Sequence, residues 1–332
     1  MTDRKTLADA FLSTTVMAGA NRGPLAGDAS NRRYERLRDG TGRTAVLMDA
    51  PPEKGEDVRP FVRIARHLHG LGLSAPEILA EDPTNGFLLI EDLGDDLYSR
   101  VIPRDPSVEA ELYRAATEVL VVLADAPMPA LAPYGPERMT EMACLAFSKY
   151  RDPVVGQDAT AQSEFAARFR EIMERTTGGK PVLAQRDYHA DNLLWLPERE
   201  GAARVGLLDF QDAMAGHPAY DLVSLLQDVR RDVSPEVEAE MLAHYIARTG
   251  ADETAFRTAY MVLGAQRNLR ILGVFGRLGL DYGKPHYVDM IPKVWAHVMR
   301  DLDHSALEPV ADLLRASLPA PTPEVLAKLK RA

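Results

Sequence analysis

The hydrophobic pattern changes period near residue 107, and this change constrains the fold of the 332-residue chain more than any other feature. Before it come strand signals. Residues 33–37 and 44–48 flank the turn Arg38-Asp39-Gly40-Thr41-Gly42, the pattern of a hairpin. Phe61, Ile64, Ala65, Leu68 and Leu71 then recur at helical spacing, with Gly70 and Gly72 placed to end that helix. A short apolar strand, 87–90, follows the turn Asp82-Pro83-Thr84-Asn85-Gly86. After the change the chain reads as helix: 108–126, 161–176 closed by Gly178-Gly179, and nearly everything from Tyr220 to the end. The last stretch splits into two weak helices around Pro319-Ala320-Pro321. Only residues 181–210 interrupt, with two short apolar strands at 193–196 and 205–208. Strands first and helices after, without alternation, imply an α+β fold. The expected division is a small strand-rich lobe over residues 1–92, a connector at 91–95, and a large helical lobe over 93–332.

Charge and cysteine usage narrow the function classes. The formal net charge of −10 argues against a nucleic-acid partner, because phosphate backbones need a basic surface. A local positive pocket for a small anion is still compatible with it. No apolar run approaches the ~18 residues of a membrane span, and the first residues lack an apolar signal core. A cytoplasmic enzyme without a membrane partner is the expectation. The one cysteine, Cys144, lies in an apolar run and reads as a small buried hydrophobe, with no internal disulfide available to it.

The chemistry concentrates in Gln185-Arg186-Asp187-Tyr188-His189-Ala190-Asp191-Asn192 and, downstream, Leu207-Leu208-Asp209-Phe210-Gln211-Asp212. Phosphoryl transfer needs an acceptor hydroxyl held in line and divalent ions to neutralise the β and γ phosphates. A kinase catalytic loop supplies an Asp for the hydroxyl, an Asn five positions later for one metal, and an Asp at the end of the next strand for the other. Asp187, Asn192 and Asp209 have that arrangement. Oxygen donors of this kind suit magnesium. Asp and Asn five apart are common in turns, so it is the whole order of loop, strand, turn, strand and Asp-Phe that carries the reading.

On these residues the chain resembles the aminoglycoside phosphotransferase and choline kinase family. The loop is similar to that family's His-x-Asp-x-His-x-x-Asn, with Gln185 in the first position, and further pieces are Gly216-His217-Pro218-Ala219-Tyr220-Asp221-Leu222 and Leu89-Ile90-Glu91-Asp92-Leu93-Gly94. The resemblance covers nearly the whole chain in the family's motif order. It implies a bilobal protein-kinase-like fold, ATP and Mg2+ as cofactors, and adenine held by connector backbone around Glu91 to Leu93. Gly27-Asp28-Ala29-Ser30-Asn31-Arg32-Arg33-Tyr34, Met48-Asp49-Ala50-Pro51-Pro52, Asp209-Phe210-Gln211-Asp212-Ala213, 271–278 and 291–295 look closer to one branch. That branch is the bacterial anomeric kinases, which phosphorylate N-acetylmuramate and N-acetylglucosamine at C1 in cell-wall recycling. Aminoglycoside, choline and homoserine-type kinases remain as enzyme alternatives. A nucleotide-binding pseudokinase is the alternative from another class.

Two departures leave questions for the structure. The phosphate loop is poor in glycine, so Ser30, Asn31 and backbone amides are the expected phosphate contacts. The strand Ala45-Val46-Leu47-Met48 lacks the lysine that kinases use on the α and β phosphates, and Arg32, Arg33 or Lys54 is left to supply the charge. His189, Asp191, Gln211 and Arg267 are candidate substrate contacts, with His189 also a candidate brace for the loop. Arg267, Arg270 and Arg277 read either as an answer to a substrate carboxylate or as a solvated basic face. Tyr150, Tyr282 and Tyr287 are candidates for a sugar pocket. Asp221 is expected to cap the helix that it opens.

Overall fold

The structure is a computed structural model that describes residues 3–25 and 31–330. The chain divides into two compact units, one of residues 1–122 with 190–213 and one of 123–189 with 214–332. Against a single boundary at residue 92, this partition puts residues 93–122 and the segment 190–213 after the Asp187 loop in the first unit. The α+β class is as expected, with a strand-rich first part and a larger helical part.

In the first unit, α1 (Arg4–Ser13) precedes a five-stranded antiparallel sheet of order β1-β2-β3-β5-β4. Its strands are β1 (Asn21–Pro24), β2 (Arg33–Arg38), β3 (Thr44–Asp49), β4 (Ile78–Asp82) and β5 (Phe87–Ile90). The β2–β3 hairpin forms where the sequence turns: Asp39 accepts from the N–H groups of Thr41 at 2.9 Å and Arg43 at 3.0 Å, and Gly42 takes φ +89°. The register sets Leu37 opposite Ala45 and Val46 opposite Ile90. Alternate side chains fall on one face, so Leu37, Ala45, Leu47, Phe87 and Leu89 pack with Ala8 and Leu12 of α1 and with Met17. α2 (Arg59–Gly70) buries Phe61, Ile64, Ala65 and Leu68 at the helical spacing seen in the sequence. α3 (Tyr98–Arg104) and α4 (Glu109–Asp125) follow, the last three residues of α4 belonging to the second unit.

Residues 190–213 join the first unit through β7 (Leu193–Trp195) and β8 (Val205–Leu207), an antiparallel pair. The Leu207 N–H donates to the Ser74 carbonyl at 2.9 Å, the Ser74 hydroxyl to the Ala203 carbonyl at 2.6 Å, and the Trp195 N–H to the Asp96 carbonyl at 2.8 Å.

The second unit is organised on a 29-residue helix, α10 (Glu253–Asp281), capped where Asp252 accepts from the Ala255 N–H at 2.8 Å. Around it lie α5 (Pro136–Ala143), a π-helical turn (Ala146–Arg151), α6 (Asp152–Val155), α7 (Ala159–Thr176), α8 (Ala219–Leu226), α9 (Pro235–Thr249), α11 (Ile291–Asp301), α12 (Glu308–Ser317) and α13 (Pro323–Leu329). β6 (Val182–Ala184) pairs antiparallel with β9 (Met214–Gly216). The π turn approaches α10 where α10 has no side chain. A Cβ at Gly273 would lie 2.3 Å from the Leu145 carbonyl, and one at Gly276 2.2 Å from the Lys149 oxygen. A polar cluster is sealed in the same unit: fully buried Asp301 accepts from Gln227 at 3.2 Å and Asn268 at 3.4 Å. Burial pushes its carboxyl up to about 7.

Candidate active site

In the second unit β6 delivers the chain to Gln185, and Asp187 follows two residues later. The loop does not relax there. Arg186 holds φ +76°, a left-handed conformation uncommon for a non-glycine residue. What holds it is Asp221. Its carboxylate, in the first turn of α8, accepts the N–H of Gln185 at 2.6 Å and that of Arg186 at 2.8 Å. The Ser224 hydroxyl donates to the Arg186 carbonyl at 3.3 Å. The expected helix cap for Asp221 is therefore corrected. α8 starts after Pro218 with no side-chain cap, and the carboxylate instead satisfies loop donors 35 and 36 residues away in sequence. Burial pushes Asp221 up to about 6, against the two N–H donors, which favour its charged form.

Asp187 itself is half-buried. His189 is buried and its imidazole is pushed well below the usual histidine range, by burial first and then by the positive Arg230 and Arg267. It is neutral at physiological pH. Arg267, on α10, is 2% exposed, which removes the solvated-face reading for that residue. Its Nε and Nη1 find no hydrogen-bond acceptor among the described residues. Burial pulls its pKa down, while Tyr220, Asp187 and Asp228 push it up. Two of the tyrosine candidates are corrected: Tyr150 is fully buried, with its hydroxyl on the Pro319 carbonyl, and Tyr282 is 62% exposed. Cys144 is half-buried with its thiol pushed up to about 11, which removes it as a nucleophile at neutral pH. A cavity of about 200 Å3 in this unit is lined by Tyr134, Met139, Lys180, Gly216 and His217 among others, and Asp187 is not on its wall.

The first unit carries the remaining motif residues. Asn192 ends a short 3-10 turn, and its carbonyl accepts the Leu208 N–H at 3.0 Å. Asp209 follows β8 and is the other non-glycine residue with positive φ, +56°. Among the described residues, only Arg186 and Asp209 have this conformation, and both belong to the motif read from the sequence. Gln211 donates to Asp209 Oδ1 at 2.6 Å, and Arg32 Nη2 lies 3.6 Å from the same oxygen. No group of three or more His, Cys, Asp or Glu able to hold a metal occurs among the described residues. Magnesium does not need one: one or two protein oxygens, completed by phosphate and water, are its usual set, and Asn192 and Asp209 offer such oxygens.

The connector is tied down by ion pairs. Arg36 of β2 donates to Asp92 at 2.9 Å, to Asp95 at 2.7 Å and to the Gly94 carbonyl at 3.2 Å. Arg36 holds the Asp95 carboxyl below its ordinary range. Glu91 pairs with Arg199, and its N–H donates to the Glu77 carbonyl at 2.9 Å. Leu93 packs its Cδ1 toward Gly206. Asn31 is exposed and gives its N–H to Glu56 at 3.0 Å. Arg33 is exposed, and Asp191 and Gln211 are half-buried. Ser30, with the preceding phosphate-loop residues 26–29, lies outside the described residues. Sequence reasoning missed Glu56, Arg36 and the true partners of Asp221. Their partners stand tens of residues away with no period connecting them.

Comparisons with known proteins give the family. Residues 22–257 match the model described as "APH: Phosphotransferase enzyme family". The chain is 40% identical to an N-acetylmuramate/N-acetylglucosamine kinase of Caulobacter vibrioides, over 89% of this chain and 92% of that protein. It is 33% identical to a Pseudomonas aeruginosa protein of the same name, over 83% and 82% respectively. Among solved structures, the choline kinase LicA from Streptococcus pneumoniae superposes with a TM-score of 0.61 at 16% identity, covering 89% of this chain and 99% of that one. A macrolide 2'-phosphotransferase type I gives 0.59 at 17% identity, covering 90% and 97%. At these identities the two structures speak for the fold. With a family model spanning well over half its length and a relative at 40% identity, the chain belongs to the phosphotransferase enzyme family.

Proposed function

We propose that this protein transfers the γ-phosphoryl group of ATP to the C1 hydroxyl of N-acetylmuramate or N-acetylglucosamine, as a cytoplasmic enzyme of cell-wall recycling. The observation that carries the phosphoryl-transfer part is the strained loop at Arg186, held by buried Asp221 so that Asp187 follows in a fixed backbone. The acceptor follows from likeness to relatives that bear those sugars in their names. Asp187 takes the proton of the attacking hydroxyl as its oxygen bonds to the γ-phosphorus and the bridging P–O bond to ADP breaks. Asn192 and Asp209 would hold Mg2+, which would neutralise charge on the phosphates when bound. Connector backbone around Glu91 to Leu93 would take the adenine edge through groups other than the Glu91 N–H, which is already donated to the Glu77 carbonyl. Asn31 and Arg33 are assigned to the phosphates, as is Ser30 on the sequence alone. Neutral His189 braces the loop, and Asp191, Gln211 and Arg267 contact the sugar. An anomeric hydroxyl is more acidic than an ordinary alcohol, so a carboxylate without a raised pKa suffices to receive its proton.

A panel assay tests the reading. Magnesium-dependent ATP turnover is expected with N-acetylmuramate and N-acetylglucosamine, weakly with glucose, and not with kanamycin or choline. The product should no longer reduce alkaline copper, because phosphate blocks C1. A reducing product moves the phosphate to another hydroxyl. Turnover of kanamycin alone overturns the substrate class, and no turnover of any acceptor returns the chain to a binding module.

A further inference from the structure

α10 carries positive charge into the interior of the second unit. Arg267 is 2% exposed, and its Nε and Nη1 find no acceptor among the described residues. Arg270, one turn on, has a buried Nε in the same condition, and its guanidinium shares a hydrogen bond with the Tyr220 hydroxyl. Tyr220 is fully buried, with its hydroxyl 3.3 Å from that of Tyr134. This turn of the helix is anchored through the residues on either side of Arg267. The Gln266 amide donates to the Met139 carbonyl at 2.8 Å, and the Asn268 amide to the Gln227 side-chain oxygen at 2.6 Å. Arg267 stands between those two anchors, so its backbone is placed before any ligand arrives.

Residues three apart on a helix share a face, so the two guanidiniums serve one region. Burial above all, and the like charge of Arg270, work against the charged form of Arg267. The carboxylates that favour it are those of Asp187 and Asp228, and neither is hydrogen-bonded to its Nε or Nη1. Asp187 acts on Arg270 as well, so both cations lie within electrostatic reach of the carboxylate that receives the hydroxyl proton. A buried guanidinium with unused N–H groups is costly to a fold unless an anion answers it. We infer that Arg267, with Arg270 beside it, binds the carboxylate of the acceptor sugar and so favours N-acetylmuramate over N-acetylglucosamine. The inference rests on the function proposed above and adds the contact that tells the two sugars apart. N-acetylmuramate differs from N-acetylglucosamine by a lactyl ether on C3, two ring positions from C1. A sugar whose C1 hydroxyl meets Asp187 therefore brings that carboxylate into the surroundings of the same side chain. A carboxylate accepts several guanidinium N–H groups at once, and it satisfies donors that no described residue satisfies. Arg277 stands ten residues beyond Arg267, about 15 Å along the axis, too far to share that carboxylate.

The test compares kcat/KM for N-acetylmuramate, its methyl ester and N-acetylglucosamine. The ester keeps the lactyl group and loses its charge. In the parent the ester is expected to be about 10-fold or more poorer than the acid, the size of a lost charge-assisted hydrogen bond. Arg267→Met should lower the ratio of N-acetylmuramate to N-acetylglucosamine by about the same factor, chiefly through KM, and Arg270→Met should lower it less. In the Arg267 variant the acid and the ester should become nearly equal. If the methionine variant does not fold, Arg267→Lys takes its place, with a smaller fall in the same ratio. Equal losses on both sugars would put Arg267 on the transferred phosphoryl group or in the fold, and overturn the inference. So would a parent that turns over ester and acid equally well, a result that needs no variant and leaves the kinase reading standing. A parent that phosphorylates neither sugar overturns the proposed function and this inference with it.

Discussion

The loop that carries Asp187 and the connector at residues 91–95 are both short irregular segments, yet they are held by opposite kinds of interaction. The loop hangs on one fully buried carboxylate, Asp221, whose partners are backbone N–H groups. The connector hangs on ion pairs that are at most partly buried on the arginine side: Arg36 with Asp92, whose side chain is 6% exposed, and with exposed Asp95, and Arg199 with Glu91. Burial makes each bond to Asp221 costly to break and insensitive to salt, because an unpaired buried donor has no water to turn to. Exposure makes the connector pairs cheap individually and open to screening. Chemistry that tolerates no misplacement is thus kept by buried polar groups. The connector is kept by pairs that water and salt can reach. The acid–base behaviour diverges too: burial raises Asp221 and Asp301, while Arg36 lowers Asp95.

The comparison can be broken at its strongest point first. Asp187→Asn should cut turnover by roughly 10²–10⁴-fold while nucleotide affinity stays near the parent's. Near-full turnover in that variant removes Asp187 from the mechanism. Asp221→Ala comes next. It leaves two buried N–H groups without an acceptor, at ~1–3 kcal/mol each, so thermal unfolding should shift down by several degrees and turnover should fall with the loop's geometry. A variant with unchanged melting temperature and unchanged turnover would contradict the claim that Asp221 holds the loop.

Arg36→Ala should do much less. The exposed pair to Asp95 contributes ~0.2–1 kcal/mol and the pair to Asp92, whose side chain is 6% exposed, contributes more than that, so a rise in the KM for ATP with kcat nearly unchanged is expected. Raising salt should increase the parent's KM for ATP and narrow its difference from the variant, whereas kcat should barely respond. A kcat that falls with salt as steeply as ATP affinity would erase the distinction between the two segments.

The effect expected to touch turnover least concerns stability and pH. Asp301 has its folded pKa raised from 3.8 to about 7, so the folded state binds that proton more tightly than the unfolded chain does. The stability this gives is fully present below about 4 and is lost as pH rises to about 7. Asp301→Asn should therefore have a flatter stability profile across that window, with its difference from the parent moving in the variant's favour as pH rises. Some slope will persist, because Asp221 titrates with the same sign. Parallel profiles for parent and variant would show that Asp301 does not titrate in this range.

Much of the fold was legible because it rests on local rules. The hairpin at 33–38 and 44–49, the strand at 87–90 and the helices at 59–70, 109–125 and 159–176 stand within a residue or two of where period and turn chemistry put them. β6 and β9 were not read. They are three residues each and gain their identity only by pairing across the intervening residues 185–213. The π turn at 146–151 was invisible for a similar reason, since the glycines that admit it lie on α10. In the motif region, order and spacing pointed to Asp187, Asn192 and Asp209 directly. Asp221 was seen and misread. Its position at a helix start suggested a cap, and no sequence rule says that a carboxylate will serve a loop 35 residues back. Glu56 had no signal, being one acid among 49 acidic residues.

The close approach at Gly273 and Gly276 limits how this enzyme can be altered. Any side chain added there meets main-chain atoms of the π turn, so a whole segment has to give way where a side chain elsewhere would merely rotate. Arg267 rides the same helix six residues before Gly273, about 9 Å along its axis. A substitution made for bulk at either glycine would be felt at that arginine as a displacement of the rod carrying it. Efforts to widen acceptor range by adding volume should therefore begin elsewhere, and a natural variant with alanine at 273 should carry a displaced main chain around residue 145.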